Sequence, residues 1–97
     1  MIKVIIERVL AEDMESTYDN EIRKTLAAIM AAKGYISGAS YTNVDNPNIR
    51  TIITDWDNVG CWNRWYKSQT RQDVNKTIHL MLKQDEKIKV LMSQSLS

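Results

Sequence analysis

The 97-residue chain has no phenylalanine, one cysteine, one proline, one histidine and three glycines. Each scarcity narrows what it can be. Cys61 stands alone, so no intrachain disulfide can form, and that usage fits a reducing cytosol. The opening Met1-Ile-Lys-Val-Ile-Ile-Glu-Arg lacks the charged start, apolar core and small-residue cleavage site of a secretory signal. No stretch approaches the roughly 20 apolar residues of a membrane span. We therefore expect a cytoplasmic protein with no membrane partner. No zinc-ligand spacing, phosphate loop or nucleophile elbow is present, so no metal site is expected. A formal net charge of +1 argues against nucleic acid, which needs a concentrated basic surface. Arg64, Lys67, Arg71 and Lys76 do cluster, and read as one solvated helix face.

With 43% apolar and 26% charged residues, the composition is that of an ordinary globular protein. The length suits one domain, 1–97, with a core small enough that oligomerisation would help it. All three tryptophans lie between Asp55 and His79, a stretch that also holds Cys61 and the lone histidine. Indole side chains bring large apolar area and an N–H that wants a partner when buried. The pocket is expected there.

Ile2 to Leu10 is β-branched and partly alternating, which predicts a strand. One face carries Ile2, Val4, Ile6 and Arg8; the other carries Lys3, Ile5, Glu7 and Val9. Asp13 is a plausible helix N-cap with Glu15 in the first turn. Met14, Tyr18, Ile22, Leu26, Ile29 and Met30 recur at helical spacing, and Gly34 should end that helix near Lys33. Tyr35 to Val44 reads as a second strand packed through Ile36, Ala39, Tyr41 and Val44. Gly38 within it marks a bulge or a close backbone approach. Asp45-Asn46-Pro47-Asn48 is turn chemistry, and Ile49 to Trp56 completes a hairpin. Asp57 or Asn58 then caps a helix through Tyr66, with an interruption at Ser68-Gln69-Thr70 and a second run through Val74, Ile78, Met81 and Leu82. Lys87 to Met92 is a fourth strand with one wetter face, and Ser93 to Ser97 a polar tail. The order is β-α-β-β-α-β: an α+β, ferredoxin-like fold with a four-stranded antiparallel sheet and helices on one face. The first strand is partly apolar on both faces, so the open face needs a partner, most simply a second copy of the chain.

The strand ending Thr54-Asp55-Trp56-Asp57, followed by a helix with Trp62-Asn63-Arg64-Trp65-Tyr66-Lys67-Ser68, resembles the signature of the antibiotic biosynthesis monooxygenase family. The Gly34-Tyr35 junction is also similar to that family's helix-to-strand glycine. The resemblance implies a homodimeric α+β barrel with a pocket in each subunit between sheet and helices. It further implies cofactor-independent monooxygenation of an aromatic or polycyclic substrate by O2. A haem-degrading branch is the alternative implied, since Trp65 matches its tryptophan. That branch also has an axial histidine and a first-strand asparagine, and the matching positions here hold Asn75 and Glu7. Neutral imidazole is the usual iron ligand and an amide is not. His79, one turn past Asn75, would have to serve instead. A non-enzymatic dimeric module is the third reading.

Cofactor-free oxygenation needs a dry site for a substrate that is electron-rich once deprotonated. Trp62 and Trp65 are candidates for an aromatic wall, with Tyr66 and Trp56 beside them. Asn63, Asn75 or a tryptophan N–H would donate to an oxyanion, and Glu7 or His79 would take the proton. The bland readings stand beside these. Trp56 at a strand end suits core packing, His79 suits an ordinary hydrogen-bonded helical histidine, Glu7 suits a strand charge at a dimer edge, and Cys61 suits a small buried hydrophobe.

Overall fold

Burial alternates residue by residue along the first strand, β1 (Ile2–Val9): Ile2, Val4, Ile6 and Arg8 are buried, while Lys3 and Glu7 face away. That alternation is the period of a strand with one face against a core. β1 sits inside a four-stranded antiparallel sheet, between β3 (Ile49–Trp56) and β4 (Lys87–Met92), with β2 (Tyr35–Thr42) beyond β3. The register sets Ile6 opposite Ile52 and Ile88, and Val4 opposite Thr54 and Val90. The computed structural model describes residues 1–94; residues 95–97 of the expected polar tail lie outside the described residues.

Three helices cover the buried face: α1 (Glu15–Ile29), α2 (Val59–Tyr66) and α3 (Gln69–His79). The expected ferredoxin-like order holds, with the second helix broken in two. Ser68 makes the break. Its Oγ donates to the Trp65 carbonyl at 2.7 Å and accepts the Arg71 N–H at 3.1 Å, so one hydroxyl closes α2 and caps α3. Asn58 caps α2 by accepting the Cys61 N–H at 2.9 Å.

Several local expectations are corrected. Asp13 is not the N-cap of α1. It adopts a left-handed φ of 63°, and Met14 takes the cap position without a side-chain bond. The helix stops at Ile29 rather than near Lys33, because the chain tightens into turns: Ala32 N–H bonds Ile29 O at 2.9 Å. Met30 is thereby thrown out to solvent. In β2 the residues expected to pack, Ile36, Tyr41 and Val44, are exposed, and Val44 lies past the strand end. A register shift between Tyr35 and Ser37 makes Ile36 the extra residue of a bulge. Gly38 is the close approach, since a Cβ there would come within 2.5 Å of the Tyr35 hydroxyl.

Trp56 anchors the core. Wholly buried, it meets Tyr35 and Trp62 edge-on at centroid distances of 5.5 and 5.8 Å, and donates its indole N–H to Thr54 Oγ at 3.0 Å. Gly34, at φ +83°, brings the chain back from α1 to β2 directly against Cys61. A side chain at Gly34 would meet both a disfavoured backbone region and the Cys61 side chain. Gly34→Ala should therefore lower unfolding free energy by about 1–3 kcal/mol. Urea denaturation checks this, and an unchanged midpoint would show that the junction is free to relax.

Candidate functional site

Trp62 and Trp65 project from α2 at i, i+3 spacing, and Arg71, Asn75 and Ile78 from α3 at i, i+4, i+7; all five are buried. Because Ser68 turns the chain between the helices, these two stripes converge over the sheet. They enclose a chamber of about 20 Å³, lined by Trp62, Trp65, Arg71, Asn75, Arg8 and Thr54 among others. That volume admits one small molecule of about the size of water. Asn75 is 2% exposed, and among the described residues its Oδ1 has no hydrogen-bond partner. An orphaned buried acceptor costs about 1–3 kcal/mol, so the fold tolerates a defect at this point.

A charge cluster borders the chamber. Glu86, in the segment before β4, accepts Arg8 Nε on one oxygen at 3.2 Å; its other oxygen accepts Arg71 Nη2 at 3.2 Å and meets His79 Nε2 at 2.9 Å. Arg8 also donates to the Tyr18 hydroxyl at 3.2 Å. The Arg71 guanidinium lies 4.7 Å from the Tyr66 ring centre and 5.9 Å from that of Trp62. Burial pushes the Glu86 carboxyl up, but Arg8, the His79 hydrogen bond and Arg71 together outweigh it and hold its pKa below the ordinary carboxylate value. Burial lowers the pKa of Arg71, against the opposing pull of Glu86. Because a carboxylate only accepts, it is His79 Nε2 that donates in this pair.

Outside this cluster lies a cleft of about 440 Å³ bordered by Tyr66, Arg71, His79, Leu82, Glu86 and Ile88. Arg71 lines both the cleft and the inner chamber. Of the residues singled out in the sequence, Trp62, Trp65 and Asn75 meet in the chamber, and Tyr66 and His79 meet at the cleft. The others are elsewhere. Trp56 lies behind Trp62 as core, with its N–H already used. Asn63 is on the exposed side of α2. Glu7 lies between the inward-facing Ile6 and Arg8, so the pleat carries it to the opposite face of the sheet, away from the chamber.

Arg8, Arg71 and Glu86 were not expected in the site. Arg71 corrects the reading of Arg64, Lys67, Arg71 and Lys76 as one solvated face: the other three are exposed, but Arg71 is buried. Its spacing to Asn75 and Ile78 carried the signal. Arg8 was placed on the face of Ile2, Val4 and Ile6 by alternation alone. Nothing local marked Glu86. The chamber is far smaller than a porphyrin, and His79, at the cleft, is engaged through Nε2 by Glu86 at 2.9 Å. Among the described residues no group of His, Cys, Asp and Glu is placed to hold a metal ion, and no helix is long and apolar enough to cross a membrane.

A family model described as antibiotic biosynthesis monooxygenase matches residues 1–77. No curated protein matches the chain by sequence. Among solved structures, an antibiotic biosynthesis monooxygenase superposes with a TM-score of 0.89 at 12% identity, covering 98% of this chain and 100% of its own. A conserved protein from Methanosarcina mazei Go1 gives 0.89 at 16% identity, covering 96% and 92%. SnoaB, a cofactor-independent oxygenase from Streptomyces nogalater, gives 0.86 at 10% identity, covering 98% and 95%. At these identities the superpositions establish the shared fold.

The depressed pKa of Glu86 links the site to stability. Its contribution is fully present above the unfolded-state pKa and is lost as pH falls through the lower folded-state value. Glu86→Gln should cost about 3 kcal/mol at neutral pH, because two buried cations lose their shared carboxylate. The gap between the wild type and the variant should narrow on acidification, which chemical denaturation at a series of pH values would read. A gap independent of pH would contradict the linkage.

Proposed function

Because the chain belongs to the antibiotic biosynthesis monooxygenase family, we propose that it is a cofactor-independent monooxygenase that oxidises an aromatic or polycyclic organic substrate with O2. The single observation that carries this reading is the meeting of Trp62, Trp65 and Asn75 around one small buried chamber that adjoins an open cleft at Arg71. A polar group such as Asn75 Oδ1, left unpartnered among buried side chains, is costly for stability and open to a ligand. The two spaces differ in size as the two reactants do. The outer cleft is within the usual range of ligand pockets and takes the organic substrate against Tyr66, while the inner chamber takes a molecule as small as O2.

In this reading His79 is the proton acceptor. Its Nε2 donates to Glu86, and in the neutral imidazole Nδ1 is the nitrogen that would remove a proton from the acidic substrate carbon. The carbanion adds O2 to give a peroxide, and loss of water from that peroxide leaves a carbonyl. One oxygen atom ends in product and one in water, and the electrons come from the C–H bonds of the substrate. In this reading Asn75 Nδ2 and the indole N–H groups of Trp62 and Trp65 donate to the oxyanion that develops.

The reading includes a homodimer formed through the open face of the sheet. Ile5, Ile53 and Ala39 lie side by side there in register, with Tyr41 and Leu91 exposed on the same face. A partly exposed apolar stripe across β2, β3 and β1, with Leu91 of β4 beside it and Lys89 at its end, is best explained by a partner. One observation favours a non-enzymatic dimeric module instead: the interior is nearly filled.

Oxygen uptake with a panel of polycyclic phenols separates the two. The enzyme reading expects uptake by the wild type and a fall in kcat of roughly 10²-fold or more in His79→Ala. Turnover by Trp65→Phe at the wild-type rate would remove its indole donor from the mechanism. No uptake with any phenol would leave the module. Ile53→Asp places a charge at the centre of the open face and should shift sedimentation from dimer to monomer without loss of helical circular dichroism.

A further inference from the structure

Among the described residues three arginines are buried, Arg8, Arg50 and Arg71, and Glu86 is the one carboxylate bonded to Arg8 or to Arg71. The third cation nearby, Arg50, is balanced separately by Asp19. Burying a charge without a full partner is costly, and a positive excess lining a cavity is complementary to an anion. The cleft rim does not cancel it, since Lys83 and Asp85 oppose one another there and His79 adds to the positive side when protonated.

Arg71 is the part of this excess that a ligand can reach. It lines the outer cleft and the inner chamber, and it is held by only one hydrogen bond to Glu86, at 3.2 Å. A guanidinium has five N–H donors, and among the described residues Glu86 is the one side chain that accepts from Arg71. Around it the cleft supplies the half-exposed ring of Tyr66 and the apolar side chains of Leu82 and Ile88. One fixed cation beside an aromatic wall and an apolar floor matches an aromatic ring that bears an ionised oxygen.

We propose that Arg71 determines specificity at this site by binding the substrate through an ionised ring oxygen, as a phenolate, in competition with Glu86. This rests on the reading of the cleft as the substrate site. Neutral aromatics of the same shape are disfavoured because they leave the Arg8–Arg71 excess unanswered, and Glu86 sets the affinity by how tightly it holds Arg71 back.

The test uses 2-hydroxy-1,4-naphthoquinone, ionised at neutral pH, against neutral 1,4-naphthoquinone, with binding followed by quenching of tryptophan fluorescence. Both probes are already oxidised, so binding is read apart from turnover. Wild type should prefer the anion by about tenfold or more, as one charge-assisted hydrogen bond allows. Arg71→Met should abolish that preference, Arg71→Lys should keep part of it, and the exposed Arg64→Met should leave it unchanged. Glu86→Gln should tighten anion binding, a gain that loss of folding cannot imitate. Equal affinities in the wild type, a preference that survives in Arg71→Met, or no gain in Glu86→Gln would overturn the proposal. Intact discrimination with no oxygen uptake from phenols would remove the oxygenase reading and leave the anion site; uptake without discrimination would do the reverse.

Discussion

One carboxylate, Glu86, neutralises charge that the fold has taken out of water in two other places. Arg8 comes from the central strand and Arg71 from the first turn of α3, and both are more than nine-tenths buried. Without Glu86 they would repel each other across the top of the sheet. With it, β1, α3 and the segment before β4 are tied at one point, and His79 is tied in as well. Such pairs rarely add net stability over an apolar replacement, but they fix geometry. Here they fix the boundary between a small dry chamber and an open cleft.

The layout of the fold was legible because its signals are periodic. Alternation in Ile2–Val9 and helical spacing in residues 15–29 each repeat often enough to survive a local error. The errors came where one residue was asked to decide. Asp13 has the right side chain for a cap but sits one position early, in a backbone conformation that leads into the helix without capping it. Gly34 does adopt the left-handed conformation, yet the helix has already ended at Ile29, where the chain tightens into turns, and the glycine serves farther on, where the junction passes Cys61.

The site was legible by half, and the division has a physical cause. Trp62, Trp65 and Asn75 lie on helical stripes whose inward direction follows from spacing. Glu7 was misplaced because the resemblance suggested a role that the pleat of β1 forbids: its neighbours Ile6 and Arg8 already take the inward positions. Arg71 was hidden by composition, a charged residue among charged residues, although its spacing to Asn75 and Ile78 marked it as inward. Glu86 could not be found at all. It lies in a polar turn, and its role comes only from distant chain segments meeting.

The central place of β1 has a consequence for how the chain is made. Its partner β3 is available once residue 56 has left the ribosome, but its other neighbour, β4, follows only with residues 87–92. Pairing of such sequence-distant strands is entropically expensive and slow. Until then one edge of a strand with apolar side chains on both faces lies open, a state prone to non-specific association. The same late segment carries Glu86. The sheet and the charge balance of its interior are therefore both completed by the arrival of one segment, residues 86–92.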